Sequence, residues 1–229
     1  MGLTARARLS RRLRARAADE RGFTLPELLI TMAILLIVVG SLASVLVSAS
    51  KSEIDASKRF QVQEQDRTAL DKLRRELHCA NTVAVKNSAG TTLSAGTAGS
   101  AVAVTLGSTC PTNITHAATL YVTWCTSAST LTTGDYALYR VTSTSSAPTC
   151  ASTGKVKWTD YLQPTTVSPS TSTPFCLPST IAACSGVLRP STSLPMLHVI
   201  LPVDINGPTS TIDKYNLVDD IAIRNVARS

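Results

Sequence analysis

Polar and apolar positions divide the chain into three textures. From Leu28 to Ala49 the sequence reads LLITMAILLIVVGSLASVLVSA, 22 residues without a charge. At about 1.5 Å per residue such a helix covers roughly 33 Å, close to the hydrocarbon thickness of a bilayer. The pattern then turns amphipathic. Residues 50–80 contain neither Pro nor Gly and are rich in helix formers. Leu70, Leu73 and Leu77 fall at i, i+3 and i+7, and Ile54 and Phe60 extend that stripe less regularly. Gly40 is the only breaker, so one rod of roughly 84 Å is predicted from Thr24 to about Cys79. Its first half suits lipid, and its second half would lay one face on a domain.

After residue 80 the period shortens towards two. A flexible stretch, NSAGTTLSAGTAGS (87–100), lies among short β-type runs at 82–86, 101–106, 118–126, 136–142 and 156–162. Residues 163–195 hold six prolines among many Ser and Thr, which reads as an irregular excursion. Runs at 196–203 and 215–226 read as closing strands. Strands that follow one long helix, rather than alternating with helices, predict an α+β fold with an antiparallel sheet. The implied divisions are a leader (1–22), a transmembrane half-helix (23–50), an amphipathic half-helix (51–80) and a β-rich domain (81–229).

The formal charge of +7 suggests nucleic acid until it is located. Seven arginines against Asp19 and Glu20 place most of it in residues 1–22, so the body is nearly neutral. No basic, aromatic-interleaved strip marks a nucleic-acid surface there. Lys155, Lys157 and Trp158 form the best small patch, and core Trp158 with solvated lysines is the simpler reading. Arginine before the apolar run and none soon after puts the leader in the cytoplasm and the rest outside. Cys79, Cys110, Cys125, Cys150, Cys176 and Cys184 then lie in an oxidising compartment, where an even number suggests disulfides. Proximity favours Cys176–Cys184 and Cys110–Cys125. No metal pattern is present: there is no C-x-x-C, and His78 sits too close to Cys79 to form a standard ligand pair.

Candidate chemistry in the body is thin. Asp204-Ile205-Asn206-Gly207 and Asp219-Asp220 lack calcium-loop spacing and read as a turn with surface acids. Asn113-Ile114-Thr115 fits a glycosylation sequon of a kind common in Thr-rich chains. His78, His116 and His198 have no recognisable nucleophile or acid partner in the sequence, and no catalytic motif occurs. An enzyme is not expected.

The informative stretch is RGFTLPELLI, residues 21–30. As helix-start chemistry, Thr24-x-x-Glu27 is a capping box and Pro26 suits a first turn. That reading leaves Gly22-Phe23 unexplained. An ordinary signal peptide cut near Ser48-Ala49-Ser50 is disfavoured, because the apolar run exceeds the usual 7–15 residues. Arg11-Arg12 lacks the hydrophobic continuation of a twin-arginine signal.

Gly22-Phe23-Thr24-Leu25-Pro26-Glu27-Leu28, between a basic leader and a spanning run, resembles the signal of type IV pilins and type II secretion pseudopilins. The resemblance implies that a membrane prepilin peptidase cuts after Gly22 and methylates the new amino terminus of Phe23. Glu27 then takes the fifth place of the mature chain, where the family's glutamate pairs with a neighbouring subunit's amino terminus. Implied partners are that peptidase, other pilin or pseudopilin subunits, an inner or plasma membrane assembly platform and the lipid bilayer. No cofactor is implied. Residues 66–80, with Leu120-Tyr121-Val122 and Leu138-Tyr139-Arg140, faintly resemble larger minor pilins, so a minor, tip-proximal subunit is the expectation.

Overall fold

A computed structural model describes residues 23–131, 134–164, 166–167, 170–178, 184, 195–205 and 214–224. Among the described residues, one helix, α1 (Leu25–His78), precedes eleven strands. The longer strands are β1 (Ala80–Lys86), β3 (Ala101–Gly107), β4 (Thr119–Ala128), β5 (Tyr136–Ser143), β6 (Val156–Leu162), β10 (Met196–Asp204) and β11 (Lys214–Ala222). The short ones are β2 (Ala98–Gly99), β7 (Thr166–Val167), β8 (Ser170–Thr171) and β9 (Phe175–Cys176). The α+β expectation stands, and every longer strand lies within a residue or a few of its predicted run. Contacts divide the chain into two compact units, one ending at Ile54 and the other starting at Asp55.

In the first unit every described residue is exposed, including Leu36 and Ile37 at 72% each. Three hydroxyls within the apolar run turn back on their own helix. Thr31 donates to the Leu28 carbonyl at 2.9 Å, Ser41 to Val38 at 2.8 Å and Ser44 to Ser41 at 2.8 Å. This is the local solution a lipid environment demands, where a polar group without a partner is costly.

The second unit is built on an antiparallel sheet whose hydrogen-bonded path runs β1-β3-β4-β5-β6-β10-β9-β2, with β11 beside β10. Residues 62–77 of α1 share its principal core. Val62, Ala69, Leu70, Leu73 and Leu77 pack with residues such as Val104, Val122 and Leu201. Burying a leucine of this kind contributes about 1.5–3 kcal/mol. The buried stripe differs from the predicted one. Ile54 and Phe60 are exposed, and Val62 and Asp66 continue the line of Leu70, Leu73 and Leu77 instead. A smaller cluster (Ala101, Cys125, Ala137, Tyr139, Val141) includes the alternate face of β3–β5. Cys150 packs against it, and the hydroxyl of Thr123 donates to the Pro148 carbonyl at 2.7 Å.

Three disulfides join Cys79–Cys110, Cys125–Cys150 and Cys176–Cys184. The expected Cys176–Cys184 pair is present, and the expected Cys110–Cys125 pair is not. Register explains the error. Gly107 faces Thr119 across β3–β4, and Cys110 lies just beyond that end. Cys125 faces Ala101, six residues further along β4, or about 20 Å away at strand rise. The end of α1 brings Cys79 to Cys110 instead. The excursion at 163–195 is also more ordered than expected in part. Phe175 is fully buried, and β9 pairs with both β10 and β2.

Candidate functional site

The amino-terminal site is built by the start of α1. Thr24 precedes the helix, and its carbonyl accepts bonds from the amides of Glu27 at 3.0 Å and Leu28 at 3.1 Å. Pro26 falls in the first turn, where its missing N–H removes no ladder bond. Both are first-turn backbone bonds that any residue at this position accepts, not the side-chain capping expected of Thr24. The expected reciprocal side-chain bonds between Thr24 and Glu27 are absent among the described residues. Phe23 is 74% exposed and non-helical, and Glu27 is the acid of the first turn. A carboxylate there benefits from the positive end of the helix dipole. Gly22 and the arginine-rich residues before it lie outside the described residues.

Residues 18–43 match the family model of the prokaryotic N-terminal methylation motif. The chain carries the signature of type IV pilin-like precursors. The matched residues take in Gly22, Phe23, Glu27 and more than half of the 22-residue apolar run. The motif implies processing by prepilin peptidase and, in general, assembly with pilins. The helix it opens is long and apolar enough to cross a membrane, which suits a membrane anchor. No curated protein and no solved structure matches the chain.

The pilin-like motif sits on a helix whose later turns hold two buried acids that sequence reasoning missed. Glu76 is wholly buried and accepts bonds from adjacent strands. Its carboxylate takes the Trp124 indole N–H at 2.7 Å, the Arg140 Nε–H at 2.9 Å and Arg140 Nη2 at 2.7 Å. Lys72 adds a longer contact at 3.8 Å. Trp124 and Arg140 face each other across β4–β5, so register aims both donors at one carboxylate. Asp66 is also wholly buried, bonded by the Thr159 hydroxyl and, at 3.3 Å, by the Tyr215 hydroxyl. Burial pushes the Asp66 carboxyl up to about 6, opposed by those two bonds. Burial, with Asp66 beside it, pushes the Tyr215 phenol up. A signal existed. Positions 66 and 76 belong to the stripe 62, 66, 69, 70, 73, 76, 77, so each acid interrupts a buried face.

Other sequence candidates resolve into structural roles. Asn113 is fully buried, and its amide donates to the Gly107 carbonyl at 3.0 Å and the Ala117 carbonyl at 2.8 Å, so the sequon nitrogen is engaged. Trp158 is half-buried against the core, with its ring centroid 5.3 Å from that of Trp124. The neighbouring lysines are not simply solvated. Lys157 reaches Asp160 at 2.8 Å, and Lys155 sits 4.6 Å over the Tyr139 ring. Asp204 is buried rather than a surface acid, and it accepts from Gln163. The Asn206-Gly207 turn lies outside the described residues. His198, expected to lack an acid partner, bonds Asp220 through Nδ1 across the β10–β11 pair. No cluster of three or more metal-ligating side chains occurs among the described residues.

Proposed function

We propose that this chain is a minor pilin or pseudopilin-like structural subunit. Prepilin peptidase cleaves it after Gly22, and the product assembles into a type IV pilus, competence pilus or secretion pseudopilus. The observation that carries this reading is the methylation motif at residues 18–43, seated on a helix whose apolar side chains are uncovered from Leu25 to Ile54. An apolar surface of that extent needs lipid or sister helices around it. The leader is cytoplasmic, the β domain extracytoplasmic, and the subunit performs no reaction of its own.

Glu27 gives the assembly step its physics. A carboxylate in hydrocarbon costs roughly 2.5–3.5 kcal/mol on insertion scales. Near the end of its helix Glu27 reaches the interface while the subunit is alone. Inside a filament it is buried, and it pairs with the amino terminus of a neighbour's Phe23. A buried charge is tolerated when paired and costly when not, so the pairing selects one register. In the uncut precursor the Phe23 nitrogen is a neutral amide with no charge to offer. Cleavage is thereby the assembly switch.

Mass spectrometry of the protein recovered from cell membranes tests this reading. A chain starting at N-methylated Phe23 is expected. A start near Lys51 would make it a secreted domain released by ordinary signal cleavage, and an intact arginine-rich leader would exclude processing.

A further inference from the structure

Strand β11 closes the sheet at one edge. It pairs with β10 without interruption from Ala222 opposite Met196 to Lys214 opposite Asp204, and with no other strand among the described residues. An open edge presents a row of backbone donors and acceptors to any extended chain, and folded proteins blunt it with proline, a bulge or repeated like charge. Lys214–Ala222 contains neither proline nor glycine, its register against β10 is unbroken, and its exposed charges, Lys214 and Asp220, are of opposite sign.

Two bonds at the strand ends fix which backbone groups face outwards. The Ile223 amide donates to the Pro195 carbonyl at 2.8 Å, which continues the β10–β11 register by one position. Antiparallel pairs alternate between bonded and non-bonded, so the odd-numbered residues of β11 turn their backbone groups towards β10. The other side of β10 agrees. The Ile200 amide donates to the Pro174 carbonyl at 2.9 Å, away from β11, and Ile200 stands opposite Val218. The N–H and C=O groups of Lys214, Asn216, Val218 and Asp220 therefore line the open edge.

The side chains of these same four residues are exposed on one face of the strand. The alternate face turns to α1, where the Tyr215 hydroxyl donates to Asp66 at 3.3 Å and Arg74 holds Asp219 at 2.8 Å, so the Asp219 charge is already matched. A second β11 laid antiparallel along the edge meets a choice of registers. Centred on Leu217, it sets Lys214 of each copy opposite Asp220 of the other, and Asn216 of each opposite Val218 of the other. All four pairs carry outward backbone groups, so each can exchange both of its bonds. Opposite charges directly across a strand pair attract. Centred on Val218 instead, Lys214 meets Ala222, and centred on Asn216 it meets Val218, with no charge pair in either case. Both groups of the charge pair are accessible. Asp220 Oδ1 bonds His198 and leaves the second oxygen, and Lys214 lies 3.7 Å from Asp204.

We infer that β11 is a self-pairing edge: two copies of this chain join antiparallel about Leu217, and the sheet of one continues into the sheet of the other. The inference does not depend on prepilin processing or filament assembly. A single strand pair is at the small end of specific interfaces, so the dimer forms and dissociates with protein concentration.

The test uses the full chain in detergent. Light scattering, corrected for detergent, should show a twofold rise in protein mass with concentration. Val218→Pro removes one outward amide and leaves the β10–β11 ladder whole, so it should abolish the rise while near-UV circular dichroism stays native. Lys214→Asp alone, or Asp220→Lys alone, sets like charges opposite each other and should weaken dimerisation by about tenfold or more. Mixing those two variants restores both charge pairs and should restore the dimer. Register is read by cross-linking. All six native cysteines are in disulfides, so an introduced thiol reports alone. Asn216→Cys chains mixed with Val218→Cys chains should cross-link faster under mild oxidation than either variant by itself. A mass that stays monomeric at every concentration overturns the inference. So does a dimer that survives Val218→Pro, or a cysteine mixture that cross-links no faster than its components.

Discussion

Replacing Arg140 by methionine isolates the charge that neutralises Glu76. In the native unit Glu76 Oε1 receives two bonds from Arg140, and Oε2 receives the Trp124 indole. Glu76 has no exposed surface, so Arg140→Met leaves a buried carboxylate with one neutral donor and a lysine at 3.8 Å. Breaking a buried pair by removing one partner costs about 3–5 kcal/mol. Lys72 can move closer, which argues for the lower end. Against a typical total of about 5–15 kcal/mol this is a large fraction. For a unit of this size it lowers Tm by roughly 6–20 °C. The double variant Glu76→Met/Arg140→Met removes both charges and orphans only the Trp124 N–H, a penalty of about 1–3 kcal/mol. It should therefore be more stable than the single variant. Urea unfolding of the full chain in detergent, followed through Trp124 and Trp158, reads both values. A loss below about 1 kcal/mol for Arg140→Met, or a double variant no better than the single, would refute the argument.

Stability should also depend on pH through Asp66. Its folded carboxyl sits at about 6 against an ordinary 3.8, so the folded chain binds the proton more tightly. The contribution is fully present below about pH 4 and is lost as pH rises through 6, up to about 3 kcal/mol. Asp66→Asn should flatten that slope in melting curves taken from pH 4 to 8, and an unchanged slope would exclude Asp66 as its source. Removing the Cys79–Cys110 bridge by paired serines frees a loop with a sequence separation of 31, which should cost about 3–4 kcal/mol in urea unfolding. Retention of full stability would show that the denatured chain gains little freedom there. Glu27→Ala should leave the processed, membrane-inserted subunit abundant while removing it from sheared filament fractions. Co-purification at wild-type levels would contradict the role proposed for Glu27.

The long apolar helix and the methylation motif were legible in the residues alone because both are local. A 22-residue uncharged run, Thr24 and Pro26 at a helix start, and Gly22-Phe23 before them need no tertiary context. Strand runs such as AVAVTL and MLHVILPV were legible for a similar reason, since β-branched alternation expresses itself over a few residues. Tertiary structure alone decided what depends on register and on the meeting of distant segments. It set Cys79 rather than Cys125 against Cys110, because six residues of strand separate two positions that are close only in sequence. It turned Glu76 and Asp66 from helix-surface acids into buried acceptors, because donors from β4, β5, β6 and β11 converge on them. Periodicity marks which face of an element is buried, but only the packed sheet fixes what that face meets.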